Sequence, residues 1–204
     1  MRTTDNSIEA YNNAADEYAK SRVGTEDSDE LKKLHAYLSP GAKILDIGCA
    51  AGRDTRILKG MGFDAVGSDL ADKLLDIARR ENPDVLFVHA DMRRLPFGDM
   101  SFDAVWASAV LHHVDKTEML SVLQEFGRVL VPGGLLYIHT KAGSGKLQTH
   151  EKTVEHEARE FELLTAEELA KLLADAKFSE LSLEVMLSKS RPGLVWLNAF
   201  YKRT

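Results

Sequence analysis

Three kinds of residue in this chain suit chemistry by type and spacing: carboxylates that end apolar runs, a glycine turn, and a pair of histidines. In KILDIGCAAGRDT (43–55), Ile44, Leu45 and Ile47 make a short apolar run with β propensity, and Asp46 sits near its end. Gly48 and Gly52 bracket Cys49, Ala50 and Ala51, so the backbone can turn tightly and a ligand can approach without meeting a Cβ. Strand, acid and glycine turn in that order build a nucleotide cradle. A second run, FDAVGSDL (63–70), ends in Asp69, where a carboxylate can accept hydrogen bonds from both hydroxyls of a ribose. A third, LFVHADM (86–92), ends in Asp91 and Met92, and Asp91 could equally cap the turn after it. After a fourth run, SFDAVWASAVLHHV (101–114), come His112 and His113, whose titration near neutrality suits a general base. Adjacent histidines point in different directions and no carboxylate stands at ligand spacing, so no metal is expected.

These residues need a scaffold, and the chain alternates strand and helix without repeats, which predicts a mainly parallel sheet with helices on both faces. In such a sheet ligands bind at the carboxyl ends of the strands, so Gly48, Asp69, Asp91 and the 106–110 loop converge on one crevice. Ile8, Tyr11, Ala15, Tyr18 and Ala19 recur near a 3.6-residue period and predict one amphipathic helix over 6–21. A second helix is expected over about 28–38, stopped by Ser39-Pro40-Gly41, and a third over 53–61. Thr165 and Glu168 make a capping box for a helix over 166–176. Residues 181–187 alternate as a strand with its leucines and valine inward, and a final strand covers 194–201.

With 204 residues and 44% hydrophobic content, the chain can bury one substantial core, and a single domain is expected. One cysteine excludes an internal disulfide, and there is neither a signal-peptide core nor a run long enough to span a bilayer. A soluble, cytoplasmic protein without membrane contact is expected. The net charge of −6 provides no broad basic face for a polyanion. Local clusters at Arg79-Arg80, Arg93-Arg94 and Tyr201-Lys202-Arg203 read as solvated edges. Nucleic acid is therefore a minor hypothesis, and oligomeric state stays open.

Taken together, the segments from Ile44 to His139, with RVLVPGGLLYIH (128–139) as helix, proline-glycine turn and fifth strand, resemble the class I methyltransferases that use S-adenosyl-L-methionine. The likeness is to the small methyltransferase domains of the 11/25 type. It implies an α/β, Rossmann-like doubly wound, mostly parallel seven-stranded sheet with an antiparallel last strand. One domain would cover 1–204, with a helical lid at 1–39 and a substrate-side loop region at 141–164. The resemblance assigns cofactor binding to Asp46, Gly48, Cys49, Ala50, Gly52, Arg53, Asp69, Leu70, Asp91, Met92 and Ala107, and to Tyr11 and Tyr18 of the lid. Asp46 would lie by the sulfonium and amino group or hold the amides of the turn, Asp91-Met92 would flank the adenine, and Arg53 is either a surface residue or reaches the methionine carboxylate. Ala50 stands where the family has glycine, and Ala107, Ser108 and Ala109 stand where amino-methylating enzymes carry Asn-Pro-Pro-Tyr. The implied reaction is methyl transfer to a small-molecule acceptor, with His112 or His113 as base. Lys141, His150, His156 and Arg159 could recognise an anionic group. Other readings are an RNA methyltransferase, a cofactor-binding protein without transfer activity, and an NAD-dependent oxidoreductase, for which G-x-G-x-x-G is missing.

Overall fold

The computed structural model describes residues 3–21, 29–149, 159–188 and 193–204, with side chains over 7–21, 29–148, 160–188 and 193–204. Two helices, α1 (Thr3–Asn13) and α2 (Ala15–Ser21), are followed by α3 (Asp29–Lys33) and a 3-10 turn at Leu34–Ala36. Then β1 (Lys43–Ile47), α4 (Arg53–Gly60), β2 (Asp64–Asp69), α5 (Asp72–Glu81) and β3 (Leu86–His89) alternate. β4 (Phe102–Ser108) leads through a 3-10 turn, Leu111–His113, into α6 (Met119–Val129) and β5 (Leu130–Lys141). A ribbon of β6 (Lys146–Thr149) and β7 (Arg159–Glu162) precedes α7 (Ala166–Asp175), β8 (Phe178–Leu187) and β9 (Val195–Arg203).

The seven-stranded sheet has the order β3-β2-β1-β4-β5-β9-β8. Its first five strands are parallel, and β9 runs antiparallel between β5 and β8, as the resemblance implies. Strand order reverses between β1 and β4, which opens a crevice at their carboxyl ends. Successive side chains leave a strand on opposite faces, and both faces are buried. Ile44, Ala65, Ala104, Trp106 and Tyr137 pack on one side with Leu31, Leu34 and Leu58. Leu45, Val66, Val105, Leu136 and Ile138 pack on the other with Leu123 and Phe126 of α6 and Leu169 and Leu173 of α7.

Several local expectations change. The helix expected over 6–21 is two helices that part at Ala14, and the one over 28–38 is α3 plus the 3-10 turn, its first residue lying outside the described ones. Near the end of α1, Asn12 accepts a hydrogen bond from the Lys73 amide at 3.0 Å, satisfying an end group of α5, whose own N-cap residue, Ala71, contributes no side-chain bond. The proline-glycine turn lies inside β5, where the register with β4 shifts between Phe102 and Ala104. Leu181, Val185 and Leu187 are exposed instead of inward: β8 is an edge strand of the sheet, and of these alternating residues only Leu183 packs against the core. The Thr165–Glu168 capping box is present in both directions, at 3.2 and 3.0 Å. Arg79, Arg80 and Arg93 each lie beside an acid, Asp76, Glu81 and Asp91 respectively. No helix among the described residues is long and apolar enough to cross a membrane.

Candidate active site

The crevice is lined by the ends of β1, β2 and β4 and roofed by α1 and α2. It encloses about 690 Å³ of space, open solvent at its mouth included. Of the residues singled out in the sequence, Tyr11, Tyr18, Gly48, Ala50, Asp69, Leu70, Met92 and His113 lie on its wall. Ser7, Ile8, Ala71, Leu74, Ala90, Ser108 and Val110 also line it without having been named as binding residues. Ser7 and Ile8 were within reach of sequence reasoning, because they stand four and three residues before Tyr11, on its helix face.

Asp69 organises the glycine turn from the neighbouring strand. One carboxylate oxygen accepts from the Ala50 amide at 2.8 Å and the other from the Ala71 amide at 2.9 Å. Burial pushes this carboxyl above its ordinary value, and the amides of Ala71, Ala50 and Leu70 oppose that shift. Ala50 takes φ 49°, the left-handed conformation that glycine would adopt more easily. The methyl group thus does not prevent the turn: the Asp69 hydrogen bond helps to hold it. Ala50→Gly is expected to raise stability by about 0.5–1 kcal/mol, relief of the left-handed cost outweighing the added chain entropy. A chemical denaturation midpoint unchanged or lowered would contradict this.

Seven candidates do not reach the crevice lining, each for a packing reason. Asp46 is 2% exposed and accepts from the Thr55 hydroxyl at 2.6 Å, behind the turn. Arg53 grips Asp54 through Nε and Nη2, both at 2.6 Å, and Asp54 also accepts from the Trp106 indole at 3.0 Å. Cys49 packs with Leu75, Ala78 and Phe87, and burial pushes its thiol far up, so it is an inert core group. A Cβ on Gly52 would stand 2.8 Å from Phe87, so this glycine serves packing and a left-handed helix start at φ 80°. Asp91 accepts from the amide and guanidinium of Arg93, which is the turn-cap reading. Ala107 is buried in the core cluster on the α6 side of the sheet, while its neighbours Ser108 and Ala109 line the wall.

His112 is the seventh, and its ring contacts separate it from its neighbour. It is 1% exposed, with Nδ1 3.4 Å from the Thr140 hydroxyl and Nε2 3.3 Å from the Lys141 ammonium. His113 instead faces α1, with Nδ1 3.3 Å from the Ser7 hydroxyl and Nε2 3.4 Å from the Tyr11 hydroxyl. Tyr11 meets Tyr18 edge-on at 5.1 Å, so the two tyrosines and His113 form one wall. His150 and His156 lie outside the described residues, as does most of 141–164 beyond the β6–β7 ribbon; Arg159 is in β7.

Buried acids beneath the turn make stability depend on pH. Desolvation, with the charge of Asp54 beside it, pushes Asp46 up to about 8, against the Thr55 hydrogen bond. Because the folded value lies above the unfolded one, the folded state holds a proton that the unfolded chain has lost between about pH 4 and about 8. This contribution is present at low pH and falls as pH rises through that window. Asp46→Asn removes the titration, so the decline of melting temperature across the window should flatten. Parallel pH profiles for the two proteins would refute it.

Residues 45–138 match the family described as "Methyltransferase domain". An uncharacterized methyltransferase of Synechocystis sp. is 35% identical over 112 residues, 55% of this chain and 53% of the relative. The "Probable tRNA methyltransferase 9B" of Homo sapiens is 36% identical over 114 residues, 55% of this chain and 24% of the relative. The chain thus spans about half the length, or less, of these curated relatives. Among solved structures, 1,6-didemethyltoxoflavin-N1-methyltransferase of Burkholderia thailandensis, with 1,6-didemethyltoxoflavin and S-adenosylhomocysteine bound, superposes with a TM-score of 0.74 at 23% identity. That match covers 97% of this chain and 88% of the other.

Proposed function

We propose, from the match of residues 45–138 to the methyltransferase-domain family and from the fold, that this protein methylates a small-molecule acceptor, with S-adenosylmethionine as donor. The observation that carries the reading is the crevice itself: a left-handed glycine turn, the Asp69 carboxylate and a tyrosine-bearing roof share one wall at the switch point of the sheet. The residues present fit the cofactor. Asp69 has lone pairs left for ribose hydroxyls after accepting backbone amides, and Leu70, Leu74 and Met92 provide apolar surface for a flat ring.

When bound, S-adenosylmethionine supplies an electrophilic methyl group. The work left to the chain is alignment and exclusion of water, and alignment of two partners can be worth effective molarities of ~10⁵ M or more. Residues 1–39 act as a lid in this reading, with α1 and α2 placing Ser7, Tyr11 and Tyr18 over the crevice. His113 rather than His112 is the base: its Nε2 takes a proton from a hydroxyl or ammonium acceptor that replaces the Tyr11 hydroxyl there. Acids beside the arginines at 79, 80 and 93 favour a small acceptor over RNA.

Calorimetric titration with S-adenosylhomocysteine and NADH tests the cofactor, and a tritiated-methyl screen over small metabolites and RNA tests the acceptor. Binding of S-adenosylhomocysteine alone, with label entering a metabolite, is expected. No heat from S-adenosylhomocysteine would end the proposal, and label entering only RNA would overturn its acceptor class.

A further inference from the structure

The seven-stranded sheet ends in two outer strands, and they are guarded differently. β3 is four residues long, and a short edge gives another chain little to pair with. β8 is ten residues long, and among the described residues no strand pairs with its outer edge. Its register with β9 shifts near its start, between Glu180 and Ser182, and from Leu183 to Leu187 the ladder is continuous. That stretch has neither proline nor lysine, the residues with which natural edges resist pairing. Leu183, Val185 and Leu187 share one face, where Val185 is 62% and Leu187 76% exposed. The other face carries Met186 and Glu184, whose carboxylate has the Lys33 ammonium of α3 at 3.6 Å.

We propose that β8 pairs with β8 of a second copy of this chain, antiparallel about a two-fold axis at Val185, so that two sheets continue into one. An edge strand presents backbone amides and carbonyls along its length, and a second strand satisfies them while covering apolar side chains. The occupant follows from the pattern of the strand itself. A two-fold axis through the sheet pairs residues at equal distances from the centre and keeps each on its own face. About Val185, that residue meets its own counterpart and Leu187 meets Leu183, so the apolar row is matched by its own reverse. Glu184 then meets Met186, and no acid faces an acid. An axis at Glu184 would set two carboxylates directly opposite, which destabilises a pair. One at Leu183 would run the ladder into the irregularity at 180–182. One at Met186 would leave Leu183 beyond the last apolar residue of the other strand. The strand is thus self-complementary in one register.

Sedimentation equilibrium over a series of protein concentrations should show a dimer. Val185→Lys places two like charges at the axis and should raise the dissociation constant by at least about tenfold. Because Val185 is exposed, the variant should keep the circular dichroism and melting temperature of the wild-type monomer. The register is read separately by disulfide formation under mild oxidation. Val185→Cys should link two chains, since directly opposite residues lie within disulfide reach. Leu181→Cys should not, because the same pairing holds the two copies of that position on the order of 25 Å apart. The native thiol, Cys49, is buried and does not compete. A monomer at every concentration, a dimer untouched by Val185→Lys, or failure of Val185→Cys to link the chains would overturn the proposal, as would linking through Leu181→Cys. None of these readouts depends on the methyltransferase reading.

Discussion

Asp69→Ala is expected to weaken S-adenosylhomocysteine binding by about 10–100-fold and to lower folding stability by about 1–3 kcal/mol. The two losses share one cause. Asp69 accepts the Ala50 and Ala71 amides, so its removal leaves both donors without their carboxylate and lets Ala50 leave its left-handed conformation. In the proposed reading the acceptor for the ribose hydroxyls disappears in the same step. Asp69→Asn retains one carbonyl acceptor and should fall between wild type and alanine in both measurements. Calorimetry and thermal denaturation on the three proteins check the order. If the alanine variant bound the ligand as wild type does, with its fold intact, Asp69 would have no place in the site.

The second large effect concerns Gly48. This residue has φ 71°, and a Cβ there would stand 2.5 Å from Val110 Cγ2 and 2.7 Å from Val110 Cβ. Gly48→Ala therefore combines a left-handed penalty of about 1–2 kcal/mol with an overpacking cost of about 1–3 kcal/mol. A domain with roughly 5–15 kcal/mol to lose stays folded but visibly weakened. Both residues line the crevice, so ligand affinity should fall as well. Shortening the opposing side chain removes the 2.5 Å contact with Cγ2 and leaves the 2.7 Å contact with Cβ and the backbone strain. In a double-mutant cycle with Val110→Ala, the pair should therefore cost less than the sum of the single changes. Strict additivity would show that the two side chains do not meet.

Much of this architecture was legible in one dimension. Alternating strand and helix signals led to the parallel sheet, and the acids that end β1, β2 and β3 marked the carboxyl edge where the crevice opens. The helical period of Ile8, Tyr11 and Tyr18 led to an amphipathic helix, and it was the family resemblance that set this segment over the crevice, which these three residues line. Side-chain direction was harder to read. Asp46, Asp69 and Asp91 look alike in the sequence, each an acid near a strand end. In the fold, Asp46 points behind the turn to Thr55, Asp69 into the crevice wall, and Asp91 back onto Arg93. The histidine pair splits in the same way, one ring to Lys141 and the other to Ser7 and Tyr11.

The sequence by itself determined the alternation and order of the main elements, though neither the break at Ala14 nor the β6–β7 ribbon within the expected loop region, because apolar period, glycine placement and capping residues act over a few neighbouring positions. It also determined that a glycine turn and a carboxylate from the next strand would meet, since parallel neighbours end at one edge. Only the tertiary structure decided which side chains reach the crevice. That choice depends on contacts between residues far apart in the chain: Tyr11 with His113, Asp54 with Trp106, and Lys141 with Phe161. Contacts of this kind form where packing brings elements together, and no local pattern along the chain encodes the direction in which each side chain then turns.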